Sequence, residues 1–274
     1  MAYSPVVRSL YSIVLLFFVG EILSAQTLQR VDPLEAGFAG STTARTGSGW
    51  FVHRNPATLP TVKGGSLLGS YSPSALGIEG YREGAFIGSM SFGESLSVGL
   101  NGAAFGTGAY SESAGGIVAA TQLEQYLRVG ATLLLQSVSI EQYGSNVIPL
   151  LDIGTQVQVS PEAVFGASFV NVTRSAVSDQ DIPQRLSLGF AWTPDSTLSL
   201  SADIVQELRH DLGFAIGVEV EPIENIPVRG GIASEPSTVG FGVGFRTGNI
   251  IVDYGGSWVD PLGFRHVFGA GITW

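Results

Sequence analysis

Between residues 151 and 246 the chain repeats one pattern, an apolar residue at every second position. Leu151, Ile153, Thr155, Val157 and Val159 alternate with Asp152, Gly154, Gln156 and Gln158. Leu186, Leu188, Phe190 and Trp192 alternate with Arg185, Ser187, Gly189 and Ala191. Val239, Phe241, Val243 and Phe245 alternate with Gly240, Gly242, Gly244 and Arg246. A period of two puts the two sets on opposite faces of extended strands. One face is apolar; the other is small and polar, with isolated charges. Only 13% of the residues are charged, against roughly 25% in a soluble domain. Past the N-terminal segment, no run approaches the roughly 18 apolar residues of a membrane helix. Apolar content spread by alternation rather than in runs fits a wall with lipid on one side and a lumen on the other. A secreted β-sandwich also alternates, but its outward face is polar.

The pattern gives about fourteen strands, near 64–72, 81–91, 95–106, 113–122, 127–141, 149–159, 162–173, 184–193, 197–206, 211–221, 226–234, 237–246, 248–257 and 264–274. Short links follow even-numbered strands: Phe92-Gly93-Glu94, Ser160-Pro161, Thr193-Pro194-Asp195-Ser196 and Thr247-Gly248-Asn249. Longer polar stretches follow odd-numbered ones, at 143–148, 174–184 and 257–263, with the short 234–237 link as an exception. This predicts an all-β, transmembrane antiparallel barrel with an even strand number and both termini in the periplasm. Tyr126, Trp192, Tyr254, Trp258 and Trp274 near strand ends suit interfacial girdles. The last strand, with Phe268, Ile272 and Trp274 on its apolar face, resembles the closing strand of bacterial outer-membrane barrels, and the resemblance makes it an assembly signal for the barrel-assembly machinery.

The first 25 residues read as a secretory signal peptide: Arg8, an apolar stretch from Leu10 to Gly20, then Leu23-Ser24-Ala25. An N-terminal anchor is the alternative, and Glu21 with the short apolar core argues against it. The organisation is therefore 1–25 signal peptide, 26–62 N-terminal hatch or plug segment, and 63–274 barrel. The cysteine count of 0 removes disulfides and thiol chemistry. A formal charge of −10 disfavours nucleic acid as a partner.

Residues 26–62 lack strand alternation. A small-residue stretch, Glu35 to Arg45, leads to Trp50-Phe51-Val52-His53-Arg54-Asn55-Pro56-Ala57-Thr58-Leu59. By itself Asn55-Pro56-Ala57 is an ordinary turn. Its position before the first strand resembles the Asn-Pro-Ala-Gly-Leu element of the FadL-like superfamily of outer-membrane barrels, with Thr58 in place of the usual Gly. Gly217-Val218-Glu219, Pro227-Val228-Arg229-Gly230-Gly231, Val252-Asp253-Tyr254 and Leu262-Gly263-Phe264-Arg265-His266 are similar to the final strands of its PorV/PorQ family. The resemblance implies a fourteen-stranded barrel with a small internal hatch. It also implies a lateral opening at the third strand, where Gly102, Gly106 and Gly108 are the candidates.

Inward register positions carry Asp152, Arg185, Asp203, Glu219, Arg229, Arg246, Asp253 and Arg265. A charge facing lipid costs roughly 2–4 kcal/mol at the midplane, so these belong in the lumen. They are either internal ion pairs, with Glu219–Arg229 and Arg246–Asp253 as expected couples, or a polar constriction on a solute path. His53, His210 and His266 lack metal-ligand spacing, so no metal and no cofactor is expected. His266 falls on the lipid-facing register at a girdle position. The glycines at 240, 242 and 244 sit on a strand rather than in a phosphate loop. Asn171-Val172-Thr173 falls within an expected strand and is a glycosylation sequon in form alone. No Gly-x-Ser-x-Gly element supplies a nucleophile. Three function classes stay open. The first is a non-enzymatic conduit for small hydrophobic solutes in contact with outer-membrane lipid. The second is a PorV/PorQ-like docking accessory of type IX secretion-system proteins. The third is an outer-membrane hydrolase, for which no catalytic constellation is visible.

Overall fold

The computed structural model describes residues 32–73, 80–93, 95–107, 109–177, 180–208 and 210–274. The signal-peptide expectation at 1–25 and the first hatch residues at 26–31 lie outside the described residues. Strands β1 (Gly65–Ser72), β2 (Arg82–Phe92), β3 (Leu96–Gly106), β4 (Tyr110–Glu124), β5 (Leu127–Ile140), β6 (Gly144–Ser160) and β7 (Ala163–Val170) follow one another around the wall. A loop then carries the two-residue pair β8 (Ala176–Val177) and β9 (Gln180–Asp181). The wall resumes with β10 (Arg185–Trp192), β11 (Leu198–Glu207), β12 (Gly213–Ile223), β13 (Ile226–Ser234), β14 (Ser237–Thr247), β15 (Ile250–Val259) and β16 (Gly263–Thr273). The sheet is a closed antiparallel barrel of fourteen strands, in which β16 pairs with β1 from Ser66↔Thr273 to Tyr71↔Phe268. Closure gives every wall strand a ladder partner on both sides, as a wall in contact with hydrocarbon requires.

The apolar set of each strand points outward. Leu100, Ile117, Leu133, Leu188, Phe214, Ile216, Ile232 and Phe241 are all exposed. Their water-exposed apolar area would be unfavourable at roughly 25 cal/mol per Å², which lipid relieves. Tyr126, Trp192 and Trp274 sit at the proximal end, where the chain enters β1 and leaves β16. Trp258 stands at the distal end, with Tyr254, Phe264 and His266 clustered nearby. The Tyr254 hydroxyl and His266 Nδ1 are 2.9 Å apart, a polar pair on an aromatic patch of the kind found at membrane interfaces.

Three loop expectations change. Residues 143–148 are mostly strand: β6 begins at Gly144 and pairs from Ile140↔Gly144 onward. Residues 257–263 shrink to a short turn, because β15 runs to Val259 and β16 starts at Gly263. In both places the ladder runs on through residues that the sequence places in a loop, 144–148 on β6 and 257–259 on β15. Conversely, β7 ends at Val170, and Asn171, at φ 54°, turns out of the strand rather than lying within it. The proximal links are tight. Asp195 Oδ1 accepts from the Thr197 and Leu198 N–H groups at 2.8 and 3.0 Å and closes one of them.

Candidate functional site

Inside the wall, residues 32–62 form a compact hatch. Helix α1 (Pro33–Gly37) starts with Pro33 in its first turn and Asp32 as N-cap, whose carboxylate accepts from Glu35 N–H at 2.7 Å. Two 3-10 turns follow, Gly49–His53 and Pro56–Thr61. Asn55 caps the second, accepting from the Ala57 N–H at 3.0 Å. Its amide donates to Thr43 O and Thr155 O at 2.8 and 3.1 Å. One side chain therefore starts a turn, ties two hatch segments together and hooks onto β6. That is what the buried Asn55-Pro56-Ala57 element does here. Trp50, Phe51, Val52 and Leu59 pack with Leu68, Ile87, Val118 and Ala120 of the wall into one apolar core.

The inward glycines are the seat of this hatch. A Cβ at Gly255 would lie 2.0 Å from Pro33 O, at Gly240 2.3 Å from Ala36 O, and at Gly231 2.3 Å from the Phe38 carbonyl carbon. Gly130 and Gly154, which pair across β5 and β6, would meet Pro56 and Asn55. Gly166 and Gly189, paired across β7 and β10, would meet Thr43 and Ala44. Hatch main chain, or at Gly154 the Asn55 side chain, lies where a side chain would stand, so the wall is bare where the hatch docks.

Polar side chains complete the fastening. Asp203 accepts from the Thr42 and Thr43 N–H groups at 3.1 and 3.0 Å. Arg45 donates from Nε to Ser201 Oγ at 3.0 Å and stacks 3.5 Å over the Phe38 ring. Burial pulls the Arg45 guanidinium down to about 10, still protonated at neutral pH. Burial also pushes the Asp32 carboxyl well above the usual carboxylate range. Arg54 holds Glu35 at 2.5 Å. Gln156 donates to Arg45 O and Thr58 Oγ1, both at 3.1 Å.

The expected lumen charges sort into partners. Glu219 and Arg229 meet at 2.6 Å, as their ladder pairing suggests. Arg229 also holds Asp253 at 2.7 Å. The expected Arg246–Asp253 couple does not form. Asp253 stands opposite Gly244, and Arg246 reaches Glu221 at 3.7 Å nearer the proximal rim. Asp152 accepts from the Asn171 N–H at 2.9 Å and fixes the exit from β7. Arg265 approaches Glu83 at 3.4 Å. Arg185 is half-buried at the distal end of β10.

At the expected lateral opening the described ladder is continuous. β3 is paired without interruption to β2, from Arg82↔Gly106 to Phe92↔Leu96, and to β4, from Leu96↔Thr121 to Gly106↔Ser111. Gly102 belongs to the lipid-facing set, and the Phe86 ring lies over it. A small residue next to a large cross-strand aromatic covers the wall without bending it. Gly108 lies outside the described residues.

Sequence reasoning missed the distal lumen. On the inward face of β1 to β6, ladder partners form transverse rows. Ser72, Glu83, Phe105, Glu112 and Val138 make the outermost. Next come Ala85, Ala103, Ala114, Gln136 and Ile148, then Ile87, Asn101, Gly116, Leu134 and Leu150. Tyr81 and Tyr110 pack on Ala85, Ala103 and Phe105, while Ile182 folds in against Leu134, Ile148 and Leu150. The result is a mainly apolar lining, interrupted by Ser72, Glu83, Glu112, Gln136 and Asn101. Among the described residues, no group of three or more His, Cys, Asp or Glu side chains is arranged to hold a metal ion.

A closed fourteen-stranded barrel with an apolar outer face, girdle aromatics and an internal hatch is a bacterial outer-membrane barrel. No protein-family model matches the chain, and no curated protein matches it in sequence. Solved structures do match. The Ralstonia pickettii toluene transporter TbuX aligns at TM-score 0.67 and 15% identity over 90% of this chain and 99% of its own. The Pseudomonas putida toluene transporter TodX gives 0.64 and 13% over 90% and 99%. A Pseudomonas aeruginosa FadL homologue gives 0.63 and 12% over 89% and 98%. The chain thus shares the FadL-type fold. These likenesses lend no support to the narrower PorV/PorQ resemblance.

Proposed function

We propose that this protein is a non-enzymatic conduit for small hydrophobic solutes across the outer membrane. The observation that carries the reading is the distal lumen. Phe105, Leu134, Ile148, Leu150 and Ile182 give it an apolar lining directly above a hatch fastened by buried polar groups. A lumen meant for ions or sugars would be lined by water-facing polar side chains instead. The fold shared with toluene transporters supports the same class of solute. The test is uptake of radiolabelled toluene by cells that lack hydrocarbon channels of their own and express the full chain. The expected outcome is several-fold faster uptake than in cells carrying an unrelated, properly assembled barrel. Equal rates would overturn the reading.

A further inference from the structure

The outermost row of the distal lumen carries more negative than positive charge. Glu83 and Glu112 point inward from β2 and β4, on either side of Phe105, and both are buried. Arg265 sits 3.4 Å from Glu83. Glu112 has neutral donors: the Tyr110 hydroxyl on one oxygen and the Gln136 amide on the other, the latter at 2.6 Å. Neutral donors stabilise a carboxylate without cancelling its charge.

Three aromatic rings stand at the same place. The Tyr81 and Phe105 centroids are 5.4 Å apart, and those of Phe105 and Tyr110 are 6.1 Å apart, both tilted. Tyr81 and Tyr110 pack against the Ala85 and Ala103 positions beneath them. Ser72, 1% exposed and directly opposite Glu83 in the ladder, has a hydroxyl without a hydrogen-bond partner. Two rows deeper, about 13 Å along the strands, Asn101 is 1% exposed, and neither atom of its amide is hydrogen-bonded.

Ring faces attract cations, and the attraction grows when the site is desolvated. A carboxylate held by neutral donors, as Glu112 is, adds to it. Together they make a chemistry that a pure hydrocarbon would not use. We propose that this cluster binds the protonated amino group of a small hydrophobic amine, with Tyr81, Phe105 and Tyr110 around it, Glu112 as counter-charge and Glu83, shared with Arg265, beside it. The Ser72 hydroxyl accepts from the same head group, and the apolar body lies against the three rings. This rests on the conduit reading above and names its solute class.

The test is calorimetric titration of the full, detergent-solubilised barrel with 2-phenylethylamine and with its neutral isostere 2-phenylethanol at pH 7. The amine should bind about ten-fold more tightly than the alcohol, as a desolvated cation site would give. Glu112→Gln should lower amine affinity roughly five-fold or more and leave the alcohol within about two-fold. Glu83→Gln repeats the test if the first variant fails to keep heat-modifiable migration on gels. Equal wild-type affinities, or an amine preference that survives in folded variants, would overturn the proposal. Alcohol binding without amine preference would leave the conduit reading standing, whereas a barrel that binds neither solute would count against both.

Discussion

Two stretches of the inner wall of this barrel face the same lumen and are built from opposite materials. Along β12 to β16 the inward positions are Gly217, Gly231, Gly240, Gly255 and Gly269, and hatch atoms lie where their side chains would be. Along β1 to β6 the distal inward positions are Phe105, Leu134, Ile148 and Leu150, with two glutamates and an unbonded asparagine among them. The first wall is made for another part of the same chain. Main chain can approach main chain closely only without Cβ atoms, so glycine records the docking line of the hatch. The second wall keeps its side chains, and on the proposed conduit reading they are what a passing molecule would meet.

Breaking the first wall should cost most. Arg229→Ala leaves Glu219 and Asp253 without their shared cation, and losing one partner of a buried pair costs about 3–5 kcal/mol. In a double-mutant cycle read by thermal unfolding, Arg229→Ala with Glu219→Ala should cost less than the sum of the two singles. Strict additivity would show that the contact carries no energy.

Next comes a paired test of the glycine line. Gly154→Ala drives a methyl group to 2.0 Å from Asn55 Oδ1, whereas at Gly115, on the lipid face of β4, nothing lies within 4 Å. Overpacking typically costs about 1–3 kcal/mol, so the first variant should unfold at clearly lower temperature and Gly115→Ala should match wild type. Equal shifts would dissolve the contrast between a docking face and a free one.

A smaller effect is expected at barrel closure. Trp274 exchanges backbone hydrogen bonds with Gly65 at 2.9 and 3.1 Å, and its indole covers the Gly65 position. Deleting it removes two bonds worth about 1 kcal/mol each at the seam between the first and last strands. Trp192→Ala removes a lipid-facing ring at the same proximal end but away from the seam. Membrane yield should fall more for the deletion, and equal yields would deny Trp274 a role in closure. The smallest effect belongs to Glu221→Ala. Its partner Arg246 is 3.7 Å away and 42% exposed, so the change should stay below about 1 kcal/mol in chemical unfolding.

The strand architecture was largely legible because lipid enforces the period of two on every outward position. The fourteen strands and most of their ends follow from that single constraint. The expected Glu219–Arg229 contact is met because the two residues stand directly opposite in neighbouring strands. The distal lumen was less visible for a physical reason. Strands β2 to β4 carry Gly88, Gly102, Ala104 and Gly115 on the lipid side and Ala85, Ala103 and Ala114 inside, so the two faces differ little. The inward Glu83, Phe105 and Glu112 do lie on one period-two register, and that was the available signal. Arg246 was mispaired because sequence distance does not show how far a long side chain reaches toward the rim. The third-strand glycines suggested a gap. Cross-strand Phe86 covers Gly102 instead, and only the ladder register reveals that neighbour.

The central claim is that solute passes along the inner face of β1 to β6, and two consecutive residues test it most directly. Ala103 points into the distal lumen beside Phe105, and Ala104 points outward to lipid. Toluene uptake should be measured in cells expressing equal, heat-modifiable amounts of Ala103→Trp and Ala104→Trp. The account predicts that tryptophan at 103 abolishes uptake while tryptophan at 104 leaves it at the wild-type rate. Equal uptake by the two variants, or loss at 104 alone, would contradict it.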